Sequence, residues 1–282
     1  MSRPLRIAHV APVATSVPPA GSGSIEALTS HLTEGLVARG HDVTLFATGD
    51  STTAARLHVT FPRGYRDDPS LWTWEICEMF NVAAAIERAA QFDLVHVECE
   101  YWPMSLPFTR LTATPVLHTV HYAPRPEEVD IWRRYPDAAF VAISREQARM
   151  MDGLRIAGTI HHAVDTATHT FRPTADDYLL FLGRFTKGKG VPQAIDIARR
   201  TGHRLLLAAA ENDYYHEHVA PLVDGTRVQY VGEVTGDAKV ALLGGARALL
   251  YPVQLPEPFG LVLTEAMACG TPAAALNLGA VA

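Results

Sequence analysis

The chain is poor in cysteine and in lysine, and it lacks both long apolar runs and blocks of like charge. Its three cysteines, Cys77, Cys99 and Cys269, are odd in number and far apart, which excludes a disulfide framework and a zinc-finger spacing. No uninterrupted apolar run reaches membrane-spanning length. Residues 1–6 are polar and lead directly into a short apolar strand, without the apolar region and small-residue cleavage site of a signal peptide. A cytosolic protein is therefore expected. A net charge of −6 with no basic block removes nucleic acid and anionic membrane surfaces from the expected electrostatic partners. Arginine far outnumbers lysine, which we read as codon bias.

What is present is apolar residue in quantity, 48% of 282 residues, enough for two cores of ordinary domain size. Short β-branched segments alternate with amphipathic stretches from residue 5 to about 164, the pattern of a parallel sheet covered by helices. A polar stretch with Pro173 and no periodicity interrupts the alternation, which restarts at YLLFLG, 178–183. The expected organisation is a first domain over 1–168, a linker over 169–177 and a second domain over 178–282, two doubly wound α/β domains with a ligand in the cleft between them. Helices are expected at 25–38, 74–90, 191–201, 213–223 and 237–246, and a strand at 159–164.

The most informative stretch is 251–272, YPVQLPEPFGLVLTEAMACGTP. An apolar strand ends in a proline-rich turn, and a helix follows that closes at Gly270 with Pro272 beyond it. Glu257 lies at the helix mouth and Glu265 two turns along, about 12 Å away at 1.5 Å of rise per residue. Between them the unpaired N–H groups of Gly260, Leu261 and Val262 form an anion site at the positive end of the helix dipole. Acid, anion site, acid matches a nucleotide-diphosphate sugar, which has hydroxyls at both ends and a pyrophosphate in the middle.

Glu257-Pro-Phe-Gly, followed by Glu265 and Ala-Met-Ala-Cys-Gly-Thr-Pro, resembles the signature of the retaining glycosyltransferases of family 4 (group 1), which have the GT-B fold. The resemblance implies that Glu257 meets the hydroxyls of the transferred sugar, that Phe259 belongs to the donor site, that the backbone of Gly260 and Leu261 meets the diphosphate, and that Glu265 holds the ribose. The loop GRFTKGKG after 178–183 resembles the family's Arg-to-Lys-Gly motif, so Arg184 and Lys189 are expected to clamp the pyrophosphate and neutralise the leaving group. Gly21 and Gly23, with Glu26, resemble the glycine pair and glutamate near the family's amino terminus, although Ser24 stands where glycine is common. His121, at the end of PVLHTVH, matches a histidine near the sugar being transferred. His162-Ala163 replaces the Asn-Gly usual at the hinge. Glu98 and Glu100 fall at the end of LVHVECE, on one side of a strand, and read as plain surface or as acceptor-side polar residues; against a metal site there stands the lack of an Asp-x-Asp in a suitable loop.

The implied function is transfer of a sugar from a nucleotide-diphosphate donor, with retention, to an acceptor that is a sugar, a lipid-linked sugar or a small molecule. Neither a cofactor nor a catalytic metal is expected. In the resembled family a further portion follows the strand near 272–277, so the second domain is expected to be incomplete, the chain being a fragment or completed by a separate chain. Many relatives use lipid-linked acceptors, which keeps peripheral attachment at the inner membrane face open. One alternative is a nucleotide-sugar binding module without transferase activity. Another is a nicotinamide-dependent dehydrogenase, against which stands the lack of a three-glycine fingerprint directly after a strand.

Overall fold

The computed structural model describes residues 3–71 and 73–281. It divides into two compact units, split between residues 161 and 162. Each is built on a wholly parallel sheet.

In the first unit the strands are β1 (Arg6–Val10), β2 (Asp42–Ala47), β3 (Arg56–Val59), β4 (Leu94–Val97), β5 (Val116–Thr119), β6 (Ala139–Ala142) and β7 (Ile156–Thr159). The helices are α1 (Ser24–Ala38), α2 (Trp74–Ile86), α3 (Pro126–Trp132) and α4 (Arg145–Met150). The sheet order is β3-β2-β1-β4-β5-β6-β7, so the winding reverses between β1 and β4 and opens a crevice at their carboxyl ends. Strands buried on both faces read as continuous apolar runs, and Ile7, Ala8 and Val10 of β1 are each at most 3% exposed. One face is filled by Trp102, Trp132 and Phe140; the Trp102 and Trp132 rings meet edge-on at 4.5 Å.

The second unit contains β8 (Leu179–Leu182), β9 (Leu205–Ala208), β10 (Val228–Tyr230), β11 (Ala248–Tyr251) and β12 (Ala273–Ala275), in the order β10-β9-β8-β11-β12. Its reversal lies between β8 and β11. Helix α5 (Val191–Thr201) packs on one face with Leu179, Phe181 and Leu205. Helices α6 (Gly236–Gly245) and α7 (Leu261–Ala268) pack on the other with Leu180, Leu249 and Tyr251. Adjacent residues of β8 thus feed opposite cores, as a period of two requires.

Three local expectations are corrected. Residues 213–223 do not form an α-helix: after two helical residues they run as a π-helical turn, Tyr215–Val219, and a 3-10 turn, Ala220–Leu222, because Pro221 has no N–H to continue an α-helical ladder. The last strand of the first unit is Ile156–Thr159, earlier than 159–164. Strand β4 ends at Val97, so Glu98 and Glu100 lie beyond it and share no strand face.

Candidate functional site

The carboxyl ends of β8 and β11 are joined through their loops. Gly190 follows a 3-10 turn at Lys187–Lys189 and has the left-handed φ of 73°. A Cβ there would lie 2.0 Å from the Pro252 carbonyl oxygen, so only glycine lets the two loops approach. The Gln254 N–H completes the junction by donating to Gly188 O at 2.8 Å.

This junction sets three side chains against one another. Lys189 Nζ donates to Glu257 Oε2 at 2.8 Å and to the Tyr251 hydroxyl at 3.1 Å, and Tyr251 donates to the same carboxylate oxygen at 2.5 Å. Sequence reasoning assigned Lys189 to phosphate and Glu257 to sugar; the structure makes them partners. Sequence reasoning did not single out Tyr251, since at the end of an apolar strand it reads as core. Burial, then the neighbouring Glu257 charge, push its phenol above the ordinary range, so it stays a proton donor. The Lys189 and Glu257 side chains are 26% and 13% exposed, so both are partly accessible.

The backbone of Glu257 is held as well. Its N–H donates to Leu278 O at 3.2 Å and its carbonyl accepts from Ala280 N–H at 2.8 Å, a one-residue parallel bridge with Gly279. Three residues on, Gly260 caps α7 in the left-handed region at φ 87°. Among the described residues the N–H groups of Leu261 and Val262 meet no protein acceptor, as at any helix start. Phe259 packs edge-on against His162 at 5.2 Å. Glu265, in the second turn of α7, pairs with Lys239 of α6 at 2.7 Å, a partner that sequence reasoning missed. Arg184 is exposed just beyond β8 and has no ion pair among the described residues.

The crevice of the first unit carries a second constellation. Glu98 is 3% exposed, which corrects its reading as plain surface: the chain turns inward after β4 and the carboxylate is enclosed by imidazoles. Its Oε2 accepts from His121 Nε2 at 2.6 Å. Its Oε1 accepts from the Thr119 hydroxyl at 3.0 Å and lies 2.9 Å from His96 Nε2 and 3.7 Å from His9 Nε2. Burial opposes its charge, but His96, His121 and His9 outweigh burial and hold the carboxyl well below its ordinary range. Burial lowers the pKa of His9. Glu100 instead meets Arg66 and Tyr65, both at 3.2 Å.

His121 stands two residues past the end of β5, its side chain 6% exposed. Gly21 and Gly23 lie in the loop before α1. A Cβ on Gly23 would fall 2.9 Å from Glu26 Oε2, so the glycine makes room for an acid that is itself buried, with its pKa raised by that burial. A concavity of about 420 Å³ near β3, lined by Phe46, His58 and Arg88, contains none of these residues.

Two doubly wound sheets, the second carrying paired glutamates on a loop and helix after its switch strand, define a GT-B type of architecture. The pattern described as Glycosyltransferase Family 4 matches residues 25–168, and that described as Glycosyl transferases group 1 matches residues 168–282. The chain belongs to this glycosyltransferase family. It is similar to the phosphatidyl-myo-inositol mannosyltransferase of Propionibacterium freudenreichii subsp. shermanii, 28% identical over 280 residues that cover 86% of this chain and 70% of the relative. An uncharacterized glycosyltransferase of Methanocaldococcus jannaschii is 34% identical over 107 residues, covering 36% of this chain and 27% of that protein. Among solved structures, AviGT4, a glycosyltransferase involved in avilamycin A biosynthesis, superposes with a TM-score of 0.68 at 25% identity, over 98% of this chain and 80% of that one. Anabaena HepE in complex with UDP-glucose shares the fold, with a TM-score of 0.71 at 16% identity, over 98% and 81% of the two chains. No helix among the described residues is long and apolar enough to cross a membrane.

Proposed function

We propose that the chain transfers a sugar from a nucleotide-diphosphate donor to an acceptor with retention of anomeric configuration. The observation that carries this reading is the Lys189, Tyr251 and Glu257 constellation at the switch between β8 and β11, beside the amino terminus of α7. A cation and a carboxylate in contact suit the point where a diphosphate meets a sugar: the ammonium faces phosphate oxygens, and the free carboxylate oxygen accepts from sugar hydroxyls.

In this reading Arg184, Lys189 and the first N–H groups of α7 take up the charge that builds on the departing nucleotide diphosphate. Glu265 accepts from the ribose hydroxyls through the oxygen that Lys239 does not occupy. We assign His121 to a sugar hydroxyl or to charge at the anomeric centre, with Glu98 fixing its ring. No residue is assigned as a covalent nucleophile; the acceptor attacks from the face the leaving group departs. Neither a cofactor nor a catalytic metal has a part in it, and Gly21 and Gly23 serve as a close-approach loop for donor or acceptor. The similarity to the mannosyltransferase supports a hydroxylic acceptor, and a lipid-linked one would bring the protein to the inner membrane face.

Melting of the chain with a panel of nucleoside diphosphates, repeated for Glu265→Ala and Arg184→Ala, tests the donor site. Ligand at a hundred times its Kd adds about 2.7 kcal/mol. One nucleotide should raise the melting point, and both substitutions should diminish the rise. Hydrolysis or transfer of the matching nucleotide sugar, with the anomer of the product read by NMR, separates a retaining transferase from a binding module that protects its ligand without turnover. A panel with no effect on melting would sink the reading.

A further inference from the structure

The hydrogen bonds around His9 determine where its proton sits. Its Nδ1 lies 2.8 Å from Thr33 Oγ1, and the Thr33 hydroxyl donates its only proton to the Thr29 carbonyl at 2.7 Å. Thr33 therefore accepts from His9, and the neutral ring carries its proton on Nδ1. The Nε2 atom is left with a lone pair. It is fully buried, has no hydrogen-bond partner among the described residues, and faces Glu98 Oε1 at 3.7 Å.

Two lone pairs facing each other in a buried space repel, and a cation between them turns repulsion into coordination. His96 Nε2 lies 2.9 Å from the same oxygen, and the three atoms are all within 4.8 Å of one another. Ligands of a tetrahedral zinc at about 2.1 Å stand about 3.4 Å apart, and the separations of 2.9 and 3.7 Å bracket that spacing. Two imidazoles on such an ion have their ring centres about 5 Å apart; those of His9 and His96 are 5.1 Å apart.

We propose that His9 Nε2, His96 Nε2 and Glu98 Oε1 bind one divalent transition metal ion of the zinc class, the remaining coordination being left to water. Two imidazole nitrogens and one carboxylate oxygen are a donor set that such ions take readily. The surrounding bonds also have the required directions: Thr33 holds His9 through Nδ1, and His121 holds Glu98 through Oε2, which aims Oε1 at the two imidazoles. His96 Nε2 lies 2.8 Å from Thr119 Oγ1, whose own proton goes to Glu98, so in the free protein it carries a proton. On binding, that proton leaves to solvent and the ring takes one at Nδ1, staying neutral. The ion ties β1 to β4 at the carboxyl edge of the first unit. Its role is structural, and it involves none of the donor residues of the second unit; it meets the transfer reading only through Glu98, which also holds the His121 ring.

The test uses the full 282-residue chain. After chelator treatment and gel filtration, zinc is titrated in competition with a chromophoric chelator, and cobalt(II) is added separately for its visible spectrum. Wild type should bind one zinc tightly, give the intense cobalt bands of a four-coordinate site and melt higher with zinc. Glu98→Gln and His9→Gln should weaken binding by at least about 100-fold, and Thr33→Val, which removes only the outer partner of His9, by about 10- to 100-fold. Surface histidines would bind equally in wild type and variants. The proposal is overturned if wild type binds no more zinc than Glu98→Gln, if its cobalt spectrum is that of the octahedral aqua ion, or if nitrogen NMR of the zinc-treated wild type finds His9 Nε2 protonated. The last two readings need no variant to fold.

Discussion

Each unit places a glutamate just past the carboxyl edge of its sheet, and the two are held in different ways. Glu257 has a lysine and a tyrosine on one oxygen, none of the hydrogen bonds described above on the other, and is 13% exposed, so part of it is reachable from outside. Glu98 is 3% exposed and has imidazoles or a threonine on both oxygens. The first arrangement suits a molecule that comes and goes; the second suits a fixed part of the protein. Partner identity matters as much as burial, because an ammonium remains charged through the neutral range whereas an imidazole changes protonation there.

The sharpest way to break the contrast is to remove the outward-facing pair. Glu257→Ala or Lys189→Ala should lower kcat/KM for sugar transfer by about a hundred- to a thousand-fold, as loss of a charge-stabilising group does, while melting without ligand changes far less. Steady-state assays beside thermal melts on each variant test this. If kcat/KM falls no more than for a surface control, the constellation is structural. Next in size is Gly190→Ala, whose Cβ would meet the Pro252 carbonyl at 2.0 Å in a left-handed backbone. Stability should fall by about 2–4 kcal/mol in chemical denaturation, with nucleotide affinity falling in step because the loop carrying Lys189 loses its anchor.

Glu78 gives a pH-dependent test of burial in the first unit. Its Oε1 accepts from Val13 N–H at 3.0 Å and its Oε2 is buried, with no partner at hydrogen-bond distance among the described residues; burial pushes its pKa from 4.5 up to about 8. The folded chain therefore holds a proton there that the unfolded chain has lost. Stability falls as pH rises from about 4.5 to about 8 and is flat beyond. Glu78→Gln should flatten that decline and stabilise the protein most at and above pH 8. Denaturation midpoints that fall equally in both proteins across this window would contradict the assignment. The smallest effect is expected of Arg184→Ala: unchanged melting without ligand, since the side chain is exposed and has no ion pair among the described residues, and nucleoside diphosphate binding weakened by about tenfold.

The sequence made the two sheets legible because parallel strands buried on both faces leave unbroken apolar runs, and α5 was legible to the residue because glycines in the left-handed region bound it at 190 and 202. The 3-10 segment Trp102–Leu111 was not, since two prolines and a fully buried tryptophan carry no helical period. Motif reading singled out Glu257, Glu265 and Lys189, yet neither of the partners they meet, Tyr251 and Lys239. Tyr251 alternates like a core residue, and Lys239 meets Glu265 only through the packing of α6 on α7. The low lysine content acquires meaning only in three dimensions: of Lys187, Lys189 and Lys239, the last two sit on the two signature glutamates. Glu98 was misjudged because an acid past a strand end is usually solvated, and its neighbours come from β1, β4 and the end of β5.

The short bridge between Glu257 and Gly279 bears on the cost of recognition. A loop residue that binds a ligand ordinarily loses backbone freedom at that moment, about 1–2 kcal/mol for each residue fixed. The main chain of Glu257 is already ordered by Leu278 and Ala280 before any ligand arrives, so its share of that loss falls on folding and is absent from binding. Amide exchange at Glu257 and Ala280 should accordingly be slow in the free protein and change little when nucleotide is added.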